Sequence, residues 1–426
     1  MLIRGPRPAT AVILLAVSLC NSAHADDFAL HDGDTVVFLG DSITAARTYG
    51  KIIENYTLLR FPDRKVRFFN AGEGGDTAAG GLARFDRDVL SLNPTVVTVA
   101  YGINDIGWGT RADAAHKQAY LDGIRGIIDR CRERKIRVFI GSAAVPREED
   151  PDKAETEFLQ TMCDEGLALA RTQGAGAIDI QRFMREVLRR VRKAGEGKPE
   201  KDRPTMHAPD GIHLNDLGQL AMAVAILKGL GAPSEVSSVA VDAASLSVID
   251  TTGCAVTDLK RNGPAIEFDR LDNGLPINFG VLGGLQFAFV PVPELLNRYM
   301  LTVKGLPPGR YEILADNRPL GTWDADLLAR GLDIASATAD GWQPGGPWDA
   351  QAYLLIRATE ARRQIAETRR DLDRYLPAHP KLDSIHAQTD SIDSQITDLQ
   401  RSLTRPRPFH FVVRPATPKP GPTEAK

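Results

Sequence analysis

The sequence predicts an α/β fold in which a parallel sheet is covered on both faces by helices, followed by a small β-rich region and a C-terminal helical hairpin. Three observations carry this reading. In the first half, short continuous apolar runs alternate with helical patterns, as strands buried on both faces require. Beyond Val236 the texture changes to brief Val/Ile/Leu/Phe segments separated by turn signals. Beyond Gln351 lie two long helical patterns joined across Pro377 and Pro380.

The elements follow in order. The chain of 426 residues has room for two or three domains. Arg4 and Arg7, the apolar run Ala11 to Leu19, and Ala23-His24-Ala25 have the charge, length and small-x-small ending of a secretory signal, too short to span a bilayer. Leu19 is a poor fit to the small residue that lipidation at Cys20 would want. Removing the signal takes the formal charge from −3 to −5 through the loss of Arg4 and Arg7. Strands are expected at Thr35–Leu39, Val66–Phe69, Thr95–Ala100, Ile136–Ile140 and Ala177–Ile180. Helices are expected at Thr48–Leu59, Gly80–Leu92, Ala114–Arg134, Asp152–Gln173, Gln181–Lys193 and Asp216–Leu230. In the fourth strand's leading helix, Tyr120, Ile124, Ile127 and Ile128 fall on one face. Strands alternating with helices imply βαβ units. Gly195 to Pro209 reads as an exposed polar loop.

In the β-rich region, Met300–Val303 and Tyr311–Leu314 look like the arms of a hairpin. Ile385, Thr389, Ile392, Ile396, Leu399 and Leu403 form a heptad seam of about three heptads. The seam is expected to pack on the first helical arm or on the β-rich region, with homo-oligomerisation through these helices as the sharper alternative. Phe409–Val413 returns as a strand. The organisation is therefore a signal at 1–25, an α/β domain at 26–233, a β-rich accessory domain at 234–350, a helical hairpin at 351–404, and a terminal strand with a disordered tail at 405–426.

Composition narrows the function classes. No basic stripe with interleaved aromatics is present, which argues against a nucleic-acid partner, and no segment after the signal is long enough to span a membrane. Cys131, Cys163 and Cys254 remain after processing, an odd number without metal-ligand spacing. Buried free thiols are the favoured reading, with one disulfide as the alternative.

Four short motifs carry chemistry, and three of them follow strands: Gly40-Asp41-Ser42-Ile43-Thr44, Asn70-Ala71-Gly72-Glu73-Gly74-Gly75-Asp76-Thr77, Gly102-Ile103-Asn104-Asp105 and, far along the chain, Asp210-Gly211-Ile212-His213. Ligands in open α/β sheets bind beyond the carboxyl ends of the strands, so these motifs converge on one sheet edge. A serine hydroxyl needs a base, and an imidazole serves near neutral pH. Asp210 lies three residues before His213, close enough to fix its tautomer. Asn104 offers a side-chain amide, and the glycine-rich turn offers backbone N–H groups, to a developing oxyanion. Asp41 and Asp105 are supporting residues that brace the loops. Trp108 suits either the pocket wall or the core. His207 reads as a solvated loop histidine. Arg182, Arg185, Arg189, Arg190, Arg192 and Lys193 read as a solvated basic face, with anionic-substrate recognition as the alternative.

Over about Asp34 to Leu230 these motifs resemble the SGNH hydrolases, also called GDSL esterases and lipases. The resemblance implies a flavodoxin-like three-layer α/β/α sandwich. It implies Ser42, Asp210 and His213 as the catalytic residues, and an oxyanion hole built from Ser42, Gly75 and Asn104, with Gly72 and Gly74 leaving the glycine register open. It implies neither metal nor organic cofactor. The expected function is an exported, periplasmic or extracellular, serine hydrolase that cleaves a small-molecule or carbohydrate ester through an acyl-enzyme. A carbohydrate O-acetylesterase or small-ester esterase is favoured. The alternatives are a lysophospholipase or thioesterase-type lipid acylhydrolase, and a non-catalytic polysaccharide-binding protein on the same scaffold.

Overall fold

The computed structural model describes residues 28–417. The expected signal, residues 1–25, and the last residues of the expected tail lie outside them. The first five strands are β1 (Thr35–Gly40), β2 (Arg67–Gly72), β3 (Val96–Ala100), β4 (Arg137–Gly141) and β5 (Gly176–Ile178). They form one sheet in the order β2-β1-β3-β4-β5, with every pairing parallel. This is the flavodoxin-like order. Around it lie α1 (Ser42–Ala45), α2 (Thr48–Arg60), α3 (Ala78–Ala83), α4 (Phe85–Asp88), α5 (Ala114–Glu133), α6 (Phe158–Thr172), α7 (Ile180–Gly195) and α8 (Asp216–Gly229).

Strand periodicity divides the core in two. In β1, Val36 and Phe38 face a cluster with Ile53 of α2, Val187 of α7 and Val224 of α8. Val37 and Leu39 face the opposite cluster, with Ile124 and Ile127 of α5 and Leu167 of α6. Each such side chain, fully buried, stabilises the fold by about 1.5–3 kcal/mol. The run Leu217 to Leu227 of α8 is buried on all sides, which is why it shows no polar face in the sequence. Asp113, Asp179 and Asn215 cap α5, α7 and α8 through their side-chain oxygens.

Two expected helices are shorter than their patterns. Gly80–Leu92 breaks into α3, α4 and a 3-10 turn at Leu90–Leu92. The break falls at Arg84, whose side chain is drawn inward to Asp76 and Tyr101 while Phe85 is fully buried. Asp152–Gln173 begins as a helix only at Phe158, after an extended Glu157. Glu155, in the 3-10 turn before it, is held by Arg182 and Arg185.

The accessory strands are β6 (Glu235–Asp242), β7 (Ser247–Thr252), β8 (Cys254–Asn262), β9 (Ala265–Asp272), β10 (Arg298–Lys304), β11 (Arg310–Ala315), β12 (Arg318–Asp324), β13 (Leu332–Asp333) and β14 (Phe409–Pro415). The short helices α9 (Gly280–Gly284), α10 (Val292–Leu296) and α11 (Ala325–Arg330) lie between them. One sheet runs β13-β10-β6-β7 and the other β12-β11-β14-β9-β8. The hairpin expected from Met300–Val303 and Tyr311–Leu314 does not form. β10 lies parallel to β6 in the first sheet, whereas β11 pairs with β12 and β14 in the second. The run Pro307-Pro308-Gly309 between the two arms marks a crossing between sheets. The true hairpin is β11–β12, turned by Asp316 and Asn317, both left-handed at φ 48° and 62°, as a type I′ turn requires.

Trp348 fills the space between the sheets, with ring centroids 4.9 Å from Tyr299 on β10 and 5.9 Å from Phe411 on β14. A buried polar cluster ties them as well. Arg270 donates to Asp272 at 2.9 Å and to Ser237 at 2.8 Å, and the Tyr299 hydroxyl donates to Asp272 at 2.6 Å.

The chain leaves this sandwich as α12 (Pro347–Tyr375) and α13 (Leu382–Thr404) and returns as β14. The two helices pack on each other. They also dock on α2 of the first domain, a surface the heptad pattern did not point to. Thr359 donates to Asn55 at 2.6 Å, and Arg362 and Gln400 both donate to Glu54 at 3.0 Å. Ile392 and Leu399 of the seam stay exposed. Cys131 and Cys163 are buried free thiols and Cys254 is a half-buried one. Among the described residues no helix is long and apolar enough to cross a membrane.

Candidate active site

Ser42 opens α1 at the carboxyl end of β1. Asp41 caps that turn, accepting from the Ile43 N–H at 2.9 Å. Gly40 has no room for a side chain, since a Cβ would lie 2.1 Å from Thr44 Oγ1 and 2.7 Å from the Ala100 carbonyl. This close approach lets β1 turn into the helix beside β3.

His213 arrives from the far end of the domain. Asp210 Oδ1 accepts from the backbone N–H of Ile212 and of His213, each at 2.9 Å, which winds the turn around the carboxylate. Gly211 permits it with φ +75°. Arg147 fastens the turn from outside, its N–H donating to the Gly211 carbonyl at 2.8 Å. The result is a continuous chain. His213 Nδ1 lies 2.5 Å from Asp210 Oδ2, and His213 Nε2 lies 2.8 Å from Ser42 Oγ. The hydrogen bond from His213, reinforced by the two backbone donors, holds the Asp210 carboxyl down to about 2.

The other two motifs meet on one loop. Glu73 N–H donates to the Gly40 carbonyl at 3.0 Å, tying the glycine-rich turn to the Ser42 strand. Gly72 is pressed against α1 and its N–H is engaged by Asn70 Oδ1 at 3.0 Å. Gly75 is exposed with φ +73°. Asn104 Nδ2 donates to the Asp76 carbonyl at 3.0 Å, and Asn104 Oδ1 accepts from Trp108 Nε1 at 2.8 Å. A carbonyl on one side and an indole N–H on the other fix the amide orientation. One Nδ2 hydrogen remains free for a ligand. Trp108 is not in the core: it is 49% exposed and presents its ring edge-on to His213, centroids 6.0 Å apart. Asp105 accepts from the Ala78 N–H at 2.9 Å, at the start of α3. Burial pushes the carboxyls of both Asp41 and Asp105 up to about 6.

Arg84 and Tyr101 complete the support and were not anticipated. Asp76 Oδ2 accepts from Arg84 Nε and from the Tyr101 hydroxyl, each at 2.8 Å, and Arg84 Nη2 also donates to the Gly40 carbonyl at 3.2 Å. One guanidinium thus joins the loops of three motifs. The only sequence signal was the position of Tyr101 directly before Gly102. Among the described residues no group of His, Cys, Asp or Glu side chains is gathered as a metal site.

Against this geometry, the sequence profile of the GDSL-like lipase/acylhydrolase family matches residues 38–221, a span that contains all four motifs. The chain is accordingly an ester-bond hydrolase. A gut microbial diltiazem-metabolizing enzyme, BT4096, shares the fold at TM-score 0.75 with 23% identity, over 91% of this chain and 98% of its own. That coverage takes the likeness into the accessory region. Axe2, an acetylxylan esterase from Geobacillus stearothermophilus, aligns over 48% of this chain and 97% of its own at TM-score 0.40 and 20% identity. LAE5, an alpha/beta hydrolase enzyme from the metagenome of Lake Arreo, Spain, aligns over 48% and 98% at TM-score 0.39 and 22% identity. No curated protein sequence matches the chain.

Two readings around the GDSL-like domain are corrected. His207 is buried, not solvated: its Nε2 lies 2.7 Å from the Val145 carbonyl, and burial lowers its pKa. The basic helix α7 is not a free cationic face. Arg185 is 1% exposed and bonded to Glu149 at 2.7 Å and Glu155 at 2.5 Å, while Arg182 pairs with Glu155, Asp164 and Asp179.

Proposed function

We propose that the chain is an exported serine esterase in which Ser42 is the nucleophile, His213 the general base and acid, and Asp210 the residue that orients His213. One observation carries this reading: the unbroken chain from Asp210 Oδ2 through His213 to Ser42 Oγ, at 2.5 and 2.8 Å. The carboxylate holds the proton on Nδ1, which leaves Nε2 to take the Ser42 proton. Oγ then attacks the ester carbonyl. The negative charge on the carbonyl oxygen is met by the Ser42 and Gly75 backbone N–H groups and the free Asn104 Nδ2 hydrogen. His213 returns its proton to the departing alkoxide, leaving an acyl-enzyme. Water, deprotonated by the same Nε2, releases the acid.

The favoured substrate is a short-chain ester, an acetyl group on a carbohydrate hydroxyl. Asp210 and His213 are each 36% exposed at the side chain, so the reacting groups lie at the surface, where a short acyl group is readily met. Trp108, exposed beside His213, offers a flat apolar face of the kind that sugar rings stack on. Export rests on Arg4, Arg7, the run Ala11 to Leu19 and Ala23-His24-Ala25. The test is hydrolysis of p-nitrophenyl acetate, butyrate and octanoate by the chain from Asp26 onward, beside Ser42→Ala. Acetate should be fastest and Ser42→Ala inactive with unchanged melting. Undiminished turnover by Ser42→Ala would end the nucleophile assignment, and octanoate preference would end the acetyl reading.

A further inference from the structure

Between α2 and the helical hairpin lies a cleft of about 1160 Å³. It runs past the end of β2 to Gly72 and Glu73, two residues short of Gly75. Its walls carry eight arginines, Arg47, Arg362, Arg363, Arg369, Arg370 and Arg374 among them. Several are neutralised by carboxylates. Arg362 bonds Glu54 at 3.0 Å and Asp393 at 2.7 Å, Arg369 is paired with Asp390, and Arg374 lies 3.5 Å from Glu73.

Arg47 and Arg370 are different. Arg47 is 9% exposed, and its Nε has no hydrogen-bond partner. Its nearest carboxylate, Glu367, is 3.8 Å away and is shared with Arg363 at 3.2 Å. Arg370, half-buried on the hairpin wall, makes no side-chain hydrogen bond or ion pair with any described residue. Burial first, then Arg370 and Arg363, pull the Arg47 guanidinium down to about 10, against the opposing pull of Glu367 and Asp371. The backbone at Arg47 is left-handed, φ +63°, a conformation that a non-glycine residue adopts at a cost. A buried guanidinium with an idle donor, facing a second cation that lacks a counter-charge, is the electrostatic complement of an oxyanion.

We propose that this cleft is an anion-binding site in which Arg47 and Arg370 grip the phosphate or carboxylate group of a ligand. Ser42 and His213 do not line the cleft, and the proposal does not depend on the esterase mechanism. The volume exceeds what a lone ion fills and matches a ligand of several rings. The same two guanidiniums accept either a free inorganic anion or the acidic group of an extended chain, and two probes separate these sources.

Inorganic phosphate and tetragalacturonate are titrated calorimetrically into the chain from Asp26 onward, into Arg370→Gln, and into Arg357→Gln. Arg357 is exposed on the same helix and does not line the cleft. At least one probe should bind the wild type and Arg357→Gln alike, and Arg370→Gln should weaken it by at least about ten-fold. Tighter binding of tetragalacturonate would assign the cleft to an acidic chain; equal or tighter binding of phosphate would assign it to a free anion. Arg370→Lys keeps the charge but loses the planar fork, so its affinity should fall between the two. The proposal is overturned if neither probe binds the wild type below about 10 mM, or if Arg370→Gln and Arg357→Gln bind as the wild type does.

Discussion

Replacing Asp210 by Asn isolates what the carboxylate does for His213. The turn should survive, because an Asn side-chain oxygen can still accept from the Ile212 and His213 N–H groups that Asp210 Oδ1 now holds at 2.9 Å. What changes is the atom facing His213 Nδ1. In place of an anionic acceptor at 2.5 Å there would be an NH₂ donor. Two losses follow. The first is the charge that steadies the imidazolium. Asp210 and His213 are each 36% exposed at the side chain, so water screens the pair. For unit charges about 4 Å apart the interaction is worth about 1 kcal/mol in water and about 4 kcal/mol near a protein surface, or roughly 5-fold to 10³-fold in rate. The second is the tautomer. A donor opposite Nδ1 favours the proton on Nε2, which can then no longer accept from Ser42. In serine hydrolases of the same logic the two losses together cost about 10⁴ in kcat. For Asp210→Asn the expectation is therefore a kcat lower by about 10³–10⁴, with KM within about three-fold and melting unchanged. Initial rates with p-nitrophenyl acetate, corrected by Ser42→Ala, measure it. A kcat within ten-fold of wild type would refute the orienting role of Asp210.

Other perturbations test the remaining parts of the site. Asn104→Ala should lower kcat by about 10²–10³ and leave KM nearly unchanged, because its free hydrogen is used mainly once charge develops; a pure KM effect would move Asn104 to ground-state binding. Trp108→Phe keeps a ring beside His213 but removes the donor to Asn104 Oδ1, so kcat should fall by up to about ten-fold, the worth of one hydrogen bond; an unchanged kcat would mean that the Asp76 carbonyl alone orients the amide. Asp105 supplies a pH test. Burial raises its carboxyl from 3.8 to about 6, so the native state holds the proton more tightly than the unfolded chain, and stability is lost as pH rises from about 4 to 6. Above that window its ionisation costs on the order of 3 kcal/mol, so Asp105→Asn should melt higher than wild type at pH 7 and converge with it near pH 4. Melting curves that diverge toward acid would contradict the assignment.

The first domain was legible because its signals are local. Each parallel strand is buried on both faces, so Thr35–Leu39 or Thr95–Ala100 stands out as an unbroken apolar run, and three of the four site motifs lie next to one. The order of strands and the meeting of Ser42 with His213 followed from the resemblance and not from any local pattern. Arg84 was invisible for the opposite reason. Its partners Asp76, Tyr101 and the Gly40 carbonyl come from three separate loops, and nothing near Arg84 in sequence distinguishes it from an exposed arginine. The same holds for Arg185 and for His207, whose surroundings are polar in sequence and buried in space. In the accessory region the error lay in turn chemistry. Met300–Val303 and Tyr311–Leu314 were paired as hairpin arms across the segment between them, while the actual turn, Asp316-Asn317, contains no glycine and relies on two residues that tolerate the left-handed region.

The topology explains why the accessory parts and the site must be considered together. β14, the last strand, lies between β9 and β11 in the interior of its sheet, so the sandwich cannot close until the chain has passed out through α12 and α13 and back. The hairpin is thereby anchored at its base, where Trp348 is buried between the sheets. From there it reaches along α2, which begins six residues after Ser42, to Arg374 opposite Glu73 on the glycine-rich turn. Its contacts with α2 are polar and buried, centred on Glu54, Arg362, Thr359 and Gln400. Burial raises the Glu54 carboxyl even though Arg362 and Gln400 stabilise its charge. Such a network gains little over an apolar contact of the same size, but it is costly to satisfy only in part and so fixes one register. Arg370 and Arg363 are then held at one position against Arg47. A long helical pair built for adhesion alone would need no such register. One that must set two guanidiniums opposite a third, beside the turn that bears Gly75, would.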